Sequence, residues 1–386
     1  MVLGMLLGLQ PIVTDLFLPA LPEIRGRLDA TPAATQWTMS GLMMAFGIGQ
    51  LLWGPVADRF GRRPVLIASL SMLMLAAIGS STSGSMPALI AWRVAQGASL
   101  AAVIMCGRAI VRDLYEPTEG AMVMSRAMSV LGMMAIVSPA LGGMLASLLG
   151  WRGALLGVAA ITAAALVVIA RSWPETAVPN PRAMDVAPYF RQLVQIASHP
   201  GFRAHALLVC CTYGGLFVFL SASAFVYIGW LGLSPAAYGG VMALASVAYL
   251  VGTAWCRWLI PRHGVAGAVR IGSFATLIAA VWMAAAAWFE SRSVAALLAP
   301  QLLYHVAHGV HQPCGQAGTV AGFPRAAGVA SSLAGFAMSA CAVATGFALG
   351  YAMDGTPRAM LWGVAAWALL TAATGLTLVQ RHGGGR

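Results

Sequence analysis

Residues 54–65 read GPVADRFGRRPV, a short turn that carries Asp58, Arg59, Arg62 and Arg63 between two long apolar runs. The rest of the chain has little charge to match it. Of 386 residues, 9% are charged and 60% are hydrophobic, and the mean hydropathy is +0.82. A water-soluble domain carries about 25% charged residues, so this composition cannot cover a soluble surface. The chain reads as an integral membrane protein. A helix needs about 20 mostly apolar residues to cross a bilayer. Twelve such runs lie near 1–21, 36–57, 65–83, 87–109, 124–148, 152–171, 204–229, 237–258, 266–288, 294–318, 327–352 and 359–379. Barrel strands would be shorter and alternating, so the fold class is all-α, with twelve transmembrane helices.

The charged turn also orients the molecule. Arginines gather in the loops after even-numbered runs, in the central loop and at the C-terminus, whereas the opposite loops hold Arg25, Arg27, Arg152, Arg292 and Arg358. By the positive-inside rule both termini are expected in the cytoplasm. Nucleic acid is not the partner implied by the net charge of +11, because the arginines are scattered between apolar runs. The first run opens almost at Met1 without a basic n-region or a small-residue cleavage site. It therefore reads as a first span rather than a signal peptide, with a short cytoplasmic tail expected ahead of it. Cys106, Cys210, Cys211, Cys256, Cys314 and Cys341 show no metal-ligand spacing and read as buried thiols, so no metal is expected.

Residues 172–203 are polar and proline-containing, with no run of spanning length. They read as a cytoplasmic linker between an N-terminal six-helix bundle, 1–171, and a C-terminal one, 204–386. A trace of repetition supports two halves. LIPRHG (259–264) follows run eight as VADRFG (56–61) follows run two, keeping Arg262 and Gly264 in place of Arg59 and Gly61.

GPVADRFGRRP resembles the loop signature of the major facilitator superfamily, in its usual place between the second and third spans. TDLFLPALPEI (14–24), RVAQG (93–97), RAIVRDLY (108–115), SPALGG (138–143) and AGVASSLAGF (327–336) resemble, in order, motifs of the drug:proton antiporters and of their bicyclomycin/chloramphenicol-resistance branch. The resemblance covers essentially the whole chain. It implies two six-helix bundles, a multi-pass protein of the bacterial inner membrane, and a monomer. It also implies export of lipophilic molecules driven by the proton gradient, without a cofactor, from a site near mid-membrane. In such proteins the loop aspartate, here Asp58, latches the cytoplasmic side, and the fifth span, here Pro139, Gly142 and Gly143, seals against leakage. Ser138 and Met134 depart from the general pattern, where glycines are usual.

The residues also carry a physical reading. Gly54 and Gly61 are expected to permit close helix approach and a tight reversal. Asp58 is expected to favour a helix N-terminus, and Arg62 or Arg63 to pair with Asp113 or Glu116. Asp15 is the one acidic residue within a run. A charge there costs about 2.5–3.5 kcal/mol on insertion scales, so a carboxyl that alternates between neutral and charged suits a proton carrier. Arg93 is the matching basic group, placed to bond backbone carbonyls or to tune Asp15, and Gln96 shares its helical face. His305, His308 and His311 form a stripe in run ten, read either as relay or substrate contacts or as interhelical hydrogen bonds. Tyr213 and Phe217 are further candidates for contact with an apolar substrate.

Two rivals remain at this point. An uptake or export carrier for a sugar or organic acid would need more polar side chains within its spans. A membrane sensor or enzyme would need a catalytic cluster or a soluble domain, and neither is visible. No phosphate-binding glycine-rich loop suggests ATP-driven transport.

Overall fold

A computed structural model describes residues 2–177, 186–289 and 292–382. The remainder of the linker, including Arg182 and Asp185, lies outside the described residues, as does Glu290. The helices are α1 Val2–Asp15, α2 Leu21–Arg27, α3 Pro32–Phe60, α4 Arg62–Thr82, α5 Met86–Leu114, α6 Pro117–Ser172, α7 Val186–Ser198, α8 Pro200–Ala224, α9 Pro235–Trp288, α10 Val294–Ala321, α11 Ala327–Ala352, α12 Arg358–Leu376 and α13 Leu378–His382.

Among the described residues, nine segments are long and apolar enough to cross a membrane. Two of these are double. Continuous α6 breaks at Gly150 (φ 69°) and continuous α9 at Gly264 (φ 68°), which only glycine adopts readily. The 28 residues of α10 fall short in apolarity because Gln301, His305, His308, His311, Gln312 and Gln316 lie within it, yet its length suffices to span. The twelve runs read from the sequence are thereby accounted for.

The chain divides into two compact units, Met1–Val186 with Ser234–Ala243, and Ala187–Leu233 with Leu244–Arg386. In the first, α3 packs along α5, and α6 lies against α1 and α4. Small residues set these distances. A Cβ at Gly97 would collide with the Leu42 carbonyl, which explains the glycine of RVAQG. In the second unit α8 is the centre, packed against α10, α11 and α12.

The repeat read from VADRFG and LIPRHG has a backbone counterpart. Gly61 (φ 95°, ψ 158°) and Gly264 (φ 68°, ψ 176°) make the same kind of reversal at matching places. Gly54 does not do what the sequence suggested. A Cβ there would meet nothing closer than Met105 at 3.9 Å, so no tight helix contact requires that glycine.

Candidate functional site

The first transmembrane segment is broken at its acidic residue. α1 stops at Asp15, Leu18–Ala20 forms one 3-10 turn, and α2 starts at Leu21. Pro19 has no N–H to give to the Asp15 carbonyl, so the helix cannot run on unchanged. Asp15 therefore sits, half-buried, near the middle of the 26-residue apolar segment Val2–Arg27 rather than at its end.

Arg93 on α5 is fully buried and braces this break. Its Nη1 donates to the Val13 carbonyl (3.0 Å) and to Gln96 Oε1 (2.6 Å), its Nε to the Thr38 carbonyl (3.3 Å), and its guanidinium stacks 3.8 Å from the Phe17 ring centroid. The contacts at Val13 and Phe17 bracket Asp15, but Asp15 and Arg93 do not form an ion pair. Arg93 thus bonds backbone carbonyls, the first of the two roles read for it, at the break that carries Asp15. Gln96 donates to the Ala76 carbonyl (3.2 Å) and Ser80 Oγ (3.0 Å) on α4. Both ends of its buried amide are thus committed, and its geometry is that of a brace for Arg93 rather than of a substrate contact.

The SPALGG stretch lies against the same break. A Cβ at Gly142 would collide with the Leu16 carbonyl, next to Asp15, and one at Gly143 with the Pro235 carbonyl of the first unit. Pro139 lies within α6, two turns before Ser147. Met134 stands where glycine was expected, and the room comes from α1 instead. A Cβ at Gly8 would lie 3.0 Å from Met134 Cγ, and one at Gly4 would lie 2.8 Å from Val130 Cγ2.

In the charged turn, Gly61 ends α3 and Arg62 opens α4. Arg62 is buried and pairs with Asp58 (2.5 Å) and with Asp113 at the end of α5 (3.0 Å). Among the described residues Arg63 has no acidic partner; its Nη2 donates to the Ala170 carbonyl (2.9 Å) near the end of α6. The carboxylate at the N-terminus of α4 is not Asp58 but Glu175. Its Oε1 accepts the Arg62 N–H (2.9 Å) and its Oε2 the Arg63 N–H (3.0 Å). Burial alone would raise the Glu175 pKa, but four backbone N–H donors outweigh it and hold the carboxyl below its ordinary value. Arg59 stacks on the adjacent Phe60 ring at 5.5 Å.

In the second unit the three histidines are buried, and two of them bond to other helices. His308 Nδ1 bonds Thr212 Oγ1 on α8 (2.8 Å), His311 Nε2 bonds Thr276 Oγ1 on α9 (3.0 Å), and His305 Nδ1 turns back to the Gln301 carbonyl (2.7 Å). Tyr304 stacks on His308 and donates to the Thr212 carbonyl (2.7 Å). Interhelical hydrogen bonding is the arrangement present for His308 and His311. Phe217 is fully buried, with half-buried Tyr213 beside it at a ring separation of 6.4 Å.

A carboxylate at the break of the first segment, a buried arginine and a glycine-hinged charged turn are now placed on one helical membrane unit. Residues 3–346 match the Major Facilitator Superfamily. The chain belongs to that superfamily. It is 28% identical to the chloramphenicol resistance protein of Pseudomonas aeruginosa, over 96% of this chain and 88% of that protein. It is 29% identical to multidrug resistance protein D of Escherichia coli (strain K12), over 87% of this chain and 84% of that one. These relatives bear out the drug-resistance branch that the motifs resemble. Among solved structures, a D-xylose-proton symporter superposes with a TM-score of 0.78 at 16% identity, covering 98% of this chain and 96% of the symporter, which speaks for the shared fold.

Two side chains of this superfamily member escaped the sequence reading. Glu175 caps α4, and Glu23 Oε2 accepts the Trp151 N–H (2.9 Å) just after the break at Gly150. Each serves a helix that starts straight after a positive-φ glycine and so lacks a cap of its own. The need for an acceptor was visible in Gly-Arg-Arg and Gly-Trp-Arg. Its supplier, more than a hundred residues away in each case, was not.

Proposed function

We propose that this chain exports lipophilic drugs or related small molecules in exchange for protons, by alternating access. The observation that carries the reading is Asp15, the acidic residue at mid-segment, at a break in α1 that Arg93 braces. An ionisable group inside a membrane segment is costly and marks an ion or substrate pathway, and broken helices are where carriers place such sites. The names of the relatives, a chloramphenicol resistance and a multidrug resistance protein, support a drug as the cargo.

In this reading Asp15 takes a proton from outside and releases the drug, then loses the proton inside and readies the site. One inward proton at 100 mV contributes about 2.3 kcal/mol from the electrical term. Arg93 holds the break in register through both states. The turn from Asp58 to Arg63 gates the inner face, with Arg62 as the ionic contact that Asp58 and Asp113 share. Tyr213, Phe217, His305, His308 and His311 stand as candidate contacts of the second unit, with His308 and His311 also holding α10 to its neighbours. Both termini lie in the cytoplasm, the protein works as a monomer in the bacterial inner membrane, and the proton gradient replaces any cofactor.

The test is proton release from inverted vesicles acidified by respiration, with and without this protein, on adding a panel of lipophilic drugs that includes chloramphenicol and bicyclomycin. Collapse of the pH gradient by a panel member, only in vesicles holding the protein, is expected. A panel that collapses nothing, together with unchanged drug sensitivity of cells expressing the protein, contradicts the reading.

A further inference from the structure

At the end of the second unit where α11 passes into α12, helices α8, α11 and α12 enclose an open cavity of about 600 Å³. Its volume falls within the range of about 300–1,000 Å³ typical of small-molecule sites. The cause is a run of small side chains. Ala344, Ala348 and Ala352 follow one another at intervals of four on α11, all exposed, and buried Thr345 and Leu349 line the cavity beside them. Trp367 and Trp362 of α12 wall the furrow, and Trp362 is 47% exposed.

The mouth is charged, and with both signs. Asp354 and Arg358 line it. Asp354 Oδ1 accepts the Thr356 N–H (2.9 Å) and hydroxyl (2.7 Å), which fixes the carboxylate at the rim. Those Thr356 bonds, the larger from its hydroxyl, hold the Asp354 pKa below its ordinary value. Arg358 opens the 19-residue α12, with its N–H given to Thr356 Oγ1 (3.3 Å), and the helix dipole adds to the attraction of this end for an anion. Trp362 lies one turn further along α12, and tryptophan is a residue type enriched where membrane meets water.

We propose that this furrow is a lipid site: it seats one acyl chain of a phospholipid whose phosphate is met by Arg358 and whose primary ammonium is met by Asp354. The occupant is a membrane lipid because the furrow opens along an apolar, exposed helix face and ends at a charge pair of the headgroup's own pattern. The tail gains little by moving from bilayer hydrocarbon to an alanine-lined wall, since lipid tails are as apolar as the protein. Selectivity therefore resides in the headgroup. A phosphoethanolamine lipid satisfies both charges with hydrogen bonds. A phosphoglycerol lipid leaves Asp354 facing an uncharged diol, and a phosphocholine lipid has no ammonium hydrogen to donate.

The experiment uses the full chain, purified in detergent and stripped of lipid, with thermal unfolding followed as lipids of identical tails and ethanolamine, glycerol or choline headgroups are added. The ethanolamine lipid is expected to raise the melting temperature saturably and at the lowest mole fraction. Arg358→Gln or Asp354→Asn should raise the half-saturating mole fraction roughly tenfold, the scale of one lost hydrogen bond to a charged group. Ala348→Trp, which fills the furrow, should remove the ethanolamine-specific increment; should that variant fail to fold, the two rim variants decide alone. Equal half-saturation for all three headgroups overturns the proposal, as does an ethanolamine effect that survives both rim substitutions. Displacement of the lipid by a transported drug, with the rim variants unaffected, makes the furrow a substrate groove and likewise overturns it.

Discussion

Glu175→Ala should destabilise the first unit measurably although Glu175 is an exposed linker residue. Its two oxygens take the first N–H groups of α4, Arg62 at 2.9 Å and Arg63 at 3.0 Å, and Oε1 also takes those of Thr176 and Ala177. Loss of an N-cap costs about 0.5–2 kcal/mol. The freed N–H groups can reach water here, which argues for about 1 kcal/mol rather than the upper figure. For a cooperative unit of roughly 150–250 residues that is a fall in melting temperature of about 2–4 °C. Glu175→Gln keeps an acceptor but no charge and should lose about half as much. The pH dependence has a defined sign. The folded pKa lies below the ordinary 4.5, so the contribution is complete above that value and disappears as pH falls through the folded pKa. Thermal unfolding in detergent, at neutral pH and at pH 4 and below, compares wild type with both variants. Equal melting temperatures at neutral pH refute the capping argument, as does a gap between wild type and Glu175→Ala that widens in acid.

Three more outcomes follow from the same geometry. Gly61→Ala and Gly264→Ala both force a side chain into a positive-φ conformation costing about 1–3 kcal/mol, but only at Gly61 does the new Cβ also strike Glu175; Gly61→Ala should melt lower in the same unfolding assay. Gly142→Ala drives a methyl into the Leu16 carbonyl beside Asp15, so drug-driven proton exchange in vesicles should fall by more than the amount of protein in the membrane does. His308→Leu leaves the buried Thr212 hydroxyl without its partner, a loss of about 1–3 kcal/mol seen as a lower melting temperature, whereas His308→Gln should keep exchange activity because the account gives the proton to Asp15.

What could be read from the sequence is what depends on local composition. The twelve apolar runs sufficed for the spanning helices, though not for α7 in the linker, and Gly150 and Gly264 fall between runs five and six and runs eight and nine, as the breaks in α6 and α9 require. Gly61 was legible because a sharp reversal needs glycine, and its match to Gly264 held in the backbone. Partners distant in sequence were not legible. Nothing in SWPET announces that Glu175 caps α4, and nothing in RVAQG separates a guanidinium paired with Asp15 from one bonded to the Val13 and Thr38 carbonyls. Gly54 and Gly61 look alike within one motif, yet only Gly61 has a conformation or a neighbour that excludes a side chain. The histidine stripe was readable as a stripe, but its hydroxyl partners, Thr212 and Thr276, lie on other helices.

The central claim is that Asp15 exchanges its proton for the drug. It is tested most directly by adding a transported drug to purified protein in weakly buffered detergent and counting protons released, for wild type and Asp15→Asn. The account predicts release from wild type near neutral pH and none from Asp15→Asn, even at drug concentrations that saturate its binding. Equal release from both would contradict it and remove Asp15 from the proton pathway.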